Sequence, residues 1–190
     1  MTAEVHVLFE GYHGRADGRV ASTVGLIRDG KMVAVIDPGL VPDHESIVGP
    51  LRGQGLQPED VTDVVFSHHH PDHTLNAALF PAARFHDHWA IYQGDTWTSR
   101  DADGFELSQH VSLMRTPGHT AEDITTLART ADGLIAFTHV WWSSGAPVED
   151  PYATDAAALH RSRSRLLELH LDLIVPGHGA PFKPGPSTPR

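Results

Sequence analysis

Four short apolar runs in this chain each lead into a loop that holds a histidine. They are Val61–Phe66, Val111–Met114, Leu134–Phe137 and Leu173–Val175. Short apolar runs rich in β-branched residues and closed by turn residues read as strands. The loops behind them carry His68, His119, His139 and His178. Ligands so far apart in sequence meet only if those strand ends share one edge of a layered fold. Sites at the C-terminal ends of strands are a common α/β solution. This recurrence constrains the architecture more than any single residue does.

The other elements fit a strand-rich chain. Val5–Phe9 alternates with polar neighbours, and Gly11–Gly18 reads as a loop. Ser22–Arg28 and Met32–Ile36 are joined at Asp29-Gly30, a hairpin turn signal. Glu45–Gly53 reads as a short helix with Asp43 as its cap. Thr74–Leu79 reads as the first turns of another, and Arg84–His86, His110–Arg115 and Gly133–Thr138 as strands. Thr154–Leu171 is the clearest helix, capped by Thr154 or Asp155, with Leu159, Leu166, Leu167 and His170 near one face. The tail, residues 181–190, holds four prolines and reads as extended or mobile. No repeat or composition break divides the chain, so residues 1–190 read as a single domain.

Composition narrows the chemistry. The 190 residues include no cysteine and fifteen histidines. Thiolate metal sites and cysteine nucleophiles are therefore excluded, and a metal would be held by imidazole and carboxylate. Asp and Glu number 24 against 14 Lys and Arg, a net charge of −10. A nucleic-acid partner is not expected, because phosphate backbones demand clustered cations. No run approaches the roughly eighteen apolar residues of a membrane span, and no signal peptide is visible, so a cytoplasmic location is expected. The oligomeric state is not readable.

The densest motif is Ser67-His68-His69-His70-Pro71-Asp72-His73. In extended backbone, residues two apart face the same way. His68 and His70 can therefore hold one ion together, while His69 points away. Pro71 redirects the chain at fixed φ, so Asp72 and His73 can face a second ion. A carboxylate among imidazoles suits Zn²⁺, Mn²⁺ or Fe²⁺.

His-x-His-x-Asp-His behind an apolar strand resembles the metallo-β-lactamase superfamily. Later motifs recur in its order: Asp37 in Val35-Ile36-Asp37-Pro38-Gly39, His119 in Thr116-Pro117-Gly118-His119, and His178 in Pro176-Gly177-His178-Gly179. The resemblance implies an α/β (α+β) fold, a four-layer αββα sandwich with a metal centre at one edge of both sheets. It implies His68, His70 and His119 on one ion and Asp72, His73 and His178 on a second. Asp37 would be the acceptor that orients the ligand loop, as ligating imidazoles usually donate their other N–H. Within the superfamily the chain is similar to the branch typified by animal metallo-β-lactamase domain-containing protein 1 and its bacterial relatives. Val7–Tyr12, Ser162–Arg165 and Pro176–Phe182 carry that likeness. The animal type has been linked to RNA cleavage; the net charge and His139 speak against carrying that substrate over.

One position departs from the pattern. The superfamily's fourth motif ends a strand with a bridging aspartate, and here His139 stands in its place. Neutral imidazole offers one lone pair and does not bridge two metals as a carboxylate does. Terminal ligation by His139 is the reading preferred. A single-metal site, a carboxylate from Glu149 or Asp150, and a structural histidine under Trp141 are the alternatives.

These residues point to hydrolysis by metal-activated water, since no Gly-x-Ser-x-Gly occurs to supply a serine nucleophile. The expected cofactor is Zn²⁺, one or two ions, with Mn²⁺ or Fe²⁺ as substitutes. The expected partner is a small ester, thioester, lactone or lactam. Asp72 could also accept a proton if one metal leaves it free. Trp89, Tyr92, Trp97, Trp141, Trp142 and Tyr152 are candidate pocket walls, and Arg15 and Arg19 candidate contacts for an anionic group. A phosphodiesterase or ribonuclease, a mononuclear iron redox enzyme and a non-catalytic metal-binding module are the rival readings.

Overall fold

The protein is described by a computed structural model covering residues 2–14, 18–145 and 147–190. Arg15 therefore lies outside the described residues. The strands are β1 (Glu4–Phe9), β2 (Val24–Asp29), β3 (Met32–Ile36), β4 (Asp63–Val65), β5 (Arg84–His86), β6 (Ala90–Gln93), β7 (Thr96–Ser99), β8 (Val111–Arg115), β9 (Ile124–Thr130), β10 (Gly133–Thr138) and β11 (Leu173–Pro176). The helices are α1 (Glu45–Gly53), α2 (Pro71–Thr74) and α3 (Ala156–Glu168), with 3-10 turns at Pro58–Asp60 and Ala77–Leu79.

Among the described residues, β1 to β7 form one sheet in sequence order and β11-β10-β9-β8 a second. The β3–β4, β4–β5 and β10–β11 pairs are parallel. Those pairings send the exits of β3 and β4 to one edge of the first sheet and those of β10 and β11 to one edge of the second, and the contact of His68 with His139 shows that the two edges meet.

Three apolar layers hold it. Ile27, Ala34, Ile36 and Val65 of the first sheet meet Leu113, Ala128, Phe137 and Val175 of the second. Ile47 and Leu51 of α1 cover the outer face of the first sheet against Leu26, Val35 and Val64. Leu159 and Leu166 of α3 cover the second sheet against Met114, Ala136 and Ile174. The order is therefore helix, sheet, sheet, helix. Each fully buried leucine contributes about 1.5–3 kcal/mol, which is how two helices hold the outer faces.

Several local readings change. The strand expected at Val61–Phe66 spans Asp63–Val65: Val61 closes the 3-10 turn by donating to Pro58 O, while Thr62 and Phe66 extend the backbone bonding to β3 and β5, through Val33 O and His86 O. The helix expected at Thr74–Leu79 is not formed there: a single α-turn, Pro71–Thr74, precedes it, opened by a proline whose fixed φ suits the first helical position, and Ala77–Leu79 is a 3-10 turn. The long helix spans Ala156–Glu168, with Asp155 Oδ1 accepting from Ala158 N at 2.9 Å. His170 is left off its apolar face, at φ 54° beyond the last turn. The tail is not free: Phe182 pairs with Ile174, and Trp141 Nε1 donates to Pro189 O at 2.8 Å. Tyr92 and Trp97 pair within the β6–β7 hairpin rather than lying in loops, while Trp89 sits in the bend just before β6.

Candidate metal centre

Each ligand candidate sits just past a strand end. β4 runs into Ser67 and the three consecutive histidines. His70 is the extended residue before α2 (φ −65°, ψ 142°), and Pro71 then opens the single turn that holds Asp72 and His73. His119 follows β8, His139 follows β10 and His178 follows β11. Asp37 follows β3 in the left-handed region, at φ 50°. Gly39 lets the two loops touch: a Cβ there would run into the Asp72 carbonyl, which accepts from Leu40 N at 3.0 Å.

The imidazoles converge. His68, His119 and His139 form one group able to hold an ion, and His73, His139 and His178 another. His139 sits between them, its ring centroid 4.2–4.8 Å from those of His119, His68 and His73 and 5.2 Å from that of His178. His139 Nε2 is 3.2 Å from His178 Nε2, and His70 Nδ1 is 3.1 Å from His119 Nε2. Asp72 Oδ2 lies 3.5 Å from His73 Nε2 and 3.7 Å from His178 Nε2. The structure therefore brings together His68, His70, Asp72, His73, His119, His139 and His178. His69 turns away to Asp87 and Glu122, at 3.2 and 3.0 Å.

The outer nitrogens are mostly engaged. His73 Nδ1 donates to Asp37 Oδ2 at 2.9 Å, His178 Nδ1 to Ala21 O at 2.8 Å, and His119 Nδ1 to Asp150 Oδ2 at 2.8 Å. His68 Nδ1 is 3.0 Å from Ser67 Oγ and 3.9 Å from Asp123 Oδ1. Asp37 also accepts from Ser67 N at 2.6 Å, tying it to the ligand loop. Such contacts fix the tautomer and aim Nε2 inward.

Burial and neighbouring imidazoles hold His68 and His139 well below their ordinary value, and burial takes His178 to about 4. Burial, then His119, lowers His70. His73 moves up instead, because Asp37 and Asp72 outweigh the pull of its burial. Burial raises Asp123 to about 7, though Thr120 donates to it. A cluster of mainly neutral imidazoles is a set of ready lone pairs.

The residues fit a metal. His68 Nε2, His73 Nε2 and His139 Nδ1 are buried without a hydrogen-bond partner. An unpaired buried polar atom costs about 1–3 kcal/mol, so the cluster is incomplete as polar chemistry, and its open lone pairs are ones an ion could take up.

A cavity of about 560 Å³ opens onto this centre, reached by His70, Asp72, His119, His139 and His178. Of the six aromatics expected as walls, Trp142 and Tyr152 line it, stacked 5.7 Å apart at 10°. Trp141 is fully buried in the core of the second sheet, and Trp89, Tyr92 and Trp97 pack on one another at the β6–β7 hairpin. Arg19 lines the mouth, its guanidinium 5.3 Å from the Tyr12 ring. Sequence reasoning missed His13, which lines the cavity with its ring 5.0 Å from Trp142. It also missed Asp123, although Thr120-x-x-Asp123 is a spacing at which a side chain reaches back to the backbone.

An αββα sandwich that gathers six imidazoles and a carboxylate at the common edge of its sheets is a metal-binding fold of the hydrolase type. The metallo-β-lactamase superfamily profile matches residues 17–139. The chain belongs to that superfamily. It is 28% identical over 189 residues to metallo-β-lactamase domain-containing protein 1 of Xenopus laevis, covering 94% of this chain and 81% of that protein. A crystal structure of a candidate metallo-β-lactamase from Thermotoga maritima superposes with a TM-score of 0.79 at 23% identity, over 97% of this chain and all of that one. The structure of a quorum-quenching N-acyl homoserine lactone hydrolase superposes with a TM-score of 0.68 at 18% identity, over 93% and 91% of the two chains. No helix among the described residues is long and apolar enough to cross a membrane.

Proposed function

We propose that this protein is a metal-dependent hydrolase acting on a small ester, thioester, lactone or lactam. The carrying observation is the cavity of about 560 Å³ that ends on the histidine cluster with Trp142 and Tyr152 as its apolar side. Pockets of roughly 300–1,000 Å³ suit small molecules, and the net charge of −10 disfavours a nucleic-acid strand.

In this reading His68, His70 and His119 hold one ion, and Asp72, His73 and His178 a second. His139 is a terminal ligand beside them. Zn²⁺ is the preferred ion, with Mn²⁺ or Fe²⁺ compatible with the same donors. Bound there, a divalent cation supplies Lewis acidity and a water acidic enough to act as nucleophile near neutral pH. The chain's own residues do the rest. Asp37 and Asp150 hold His73 and His119 in the tautomer that faces inward. Asp72, with its side chain 18% exposed on the cavity, is placed to accept a proton from a water or leaving group.

The test is a panel of aryl esters, thioesters, lactones and lactams assayed with metal-assayed protein. Turnover that disappears on chelation and returns with Zn²⁺ is expected. A fully loaded protein that turns over none of the four classes overturns the proposal.

A further inference from the structure

The carboxylate missing at position 139 has a counterpart outside the cluster. Asp150 lies in the segment between β10 and α3, its side chain 1% exposed. Its Oδ2 accepts from His119 Nδ1 at 2.8 Å and from Trp142 Nε1 at 3.1 Å. Its Oδ1 accepts from Tyr152 N at 2.8 Å. One carboxylate thus touches a cluster imidazole and both aromatic residues that wall the cavity.

The segment around Asp150 is fastened from beneath. Arg163 of α3 is 1% exposed. Its Nε donates to Val140 O at 2.7 Å, Nη1 to Val148 O at 2.8 Å and Nη2 to Pro147 O at 3.1 Å. The guanidinium fork is rigid, so three carbonyls held by one side chain fix the approach of the segment to the exit of β10. Asp150 is thereby placed by a helix packed on the second sheet.

We propose that Asp150 is a positioning residue that couples the substrate wall to the metal centre, by sharing one oxygen between His119 and Trp142. The proposal rests on the metal-site reading above. His119 needs its Nδ1 proton held outward to present Nε2 to an ion. Trp142 needs its Nε1–H held to keep its face toward the cavity and its stack on Tyr152. Because both donors meet the same Oδ2, a displacement of the indole is felt at the imidazole. Binding against Trp142 and binding of metal at His119 then share a free energy, and linkage makes the effect reciprocal.

Four proteins test this: the unaltered chain, Asp150→Asn, Trp142→Phe and the double variant. Metal retention is read by chelator competition with Zn²⁺, the ligand field by the visible absorption of the Co²⁺ form, and KM separately from kcat. Asp150→Asn should lower metal affinity 10–100-fold and change the Co²⁺ spectrum. Trp142→Phe keeps an aromatic face but removes the second donor to Oδ2. It should raise KM and shift metal affinity at least twofold, and the double variant should be non-additive. A role confined to stability would lower the melting temperature of both variants and leave the Co²⁺ spectrum unchanged. Unchanged metal affinity in both single variants, or strict additivity, overturns the coupling. If Asp150→Asn fails to fold, Trp142→Phe alone decides, through its metal affinity and Co²⁺ spectrum. Absence of hydrolysis with metal retained sinks the hydrolase reading but not this one; failure of the unaltered chain to retain metal sinks both.

Discussion

The two halves of the metal centre are anchored differently. His73 and His178 direct their outer nitrogens at Asp37 and Ala21 O, which flank β3 and β2 of the first sheet. Asp37 is itself fixed by the sheet, since its N–H donates to Val65 O at 3.0 Å. His68 and His119 look outward to Ser67, Asp123 and Asp150, all in loops. Of these, Asp150 also reaches the cavity wall. The first half is set by strand register and the second by side chains that anchor loops. A molecule in the cavity meets Asp72 and His178 directly, whereas through the wall residue Trp142 and Asp150 it reaches the outer nitrogen of His119 in the second half.

The largest disturbance should come from Gly39→Ala, which strikes the sheet-anchored half through its backbone. The new Cβ would collide with the Asp72 carbonyl, and overpacking against a backbone costs about 1–3 kcal/mol or more. Urea unfolding should show the loss, together with weakened metal retention. Wild-type stability would show that the loops can separate.

Removal of metal by a chelator should come next. An ion at a hundredfold excess over its Kd stabilises the folded state by about 2.7 kcal/mol. Thermal unfolding with and without chelator should differ by several degrees. Identical curves would mean that the unpartnered nitrogens of His68, His73 and His139 hold no ion.

Asp37→Asn should lower metal affinity about 10–100-fold while leaving Trp142 undisturbed. It removes the charge that faces His73 and weakens the acceptor for Ser67 N. KM should then change less than in Trp142→Phe. An equal change in KM would erase the distinction between the halves.

The smallest effect lies away from both. Burial holds His86 below its ordinary 6.5, although Asp63 accepts from it at 2.8 Å. Asp63 is held below 3.8, because contacts with His86, Thr62 and Arg84 outweigh its burial. The unfolded chain thus binds protons first at both groups. Stability should fall as pH drops below 6.5 through His86, and fall again below 3.8 through Asp63. Urea midpoints at pH 7, 5.5, 4 and 3, in the unaltered chain and in His86→Gln, check the sign; a fall between pH 7 and 5.5 no larger than that of His86→Gln, or a midpoint that rises from pH 4 to 3, contradicts it.

Much of the fold was legible because strand ends and ligands coincide. The Asp29-Gly30 hairpin, β10, β11 and the Asp155 cap follow from local patterns. The β6–β7 hairpin and β9 were not legible. Tyr92 and Trp97 read as pocket aromatics, and Thr125 and Thr126 carry no apolar alternation although both are buried. Pairing with neighbours, rather than hydrophobic period, makes these strands. The identities of the cluster residues were legible from the motifs in order. The wall was not, because which aromatic faces a cavity depends on how distant loops dock.

The sequence by itself determined that this protein binds metal, if at all, through imidazole and carboxylate, since no cysteine exists and the histidines stand where strands end. It also placed a histidine at 139 where a bridging acid is the pattern. Only the tertiary structure decided that Asp150 is set behind His119 instead of between two ions. The reason is physical: a side chain's second hydrogen bond depends on neighbours brought together by packing, here Arg163 fastening residues 147 and 148 beneath the cavity, and no local spacing encodes it.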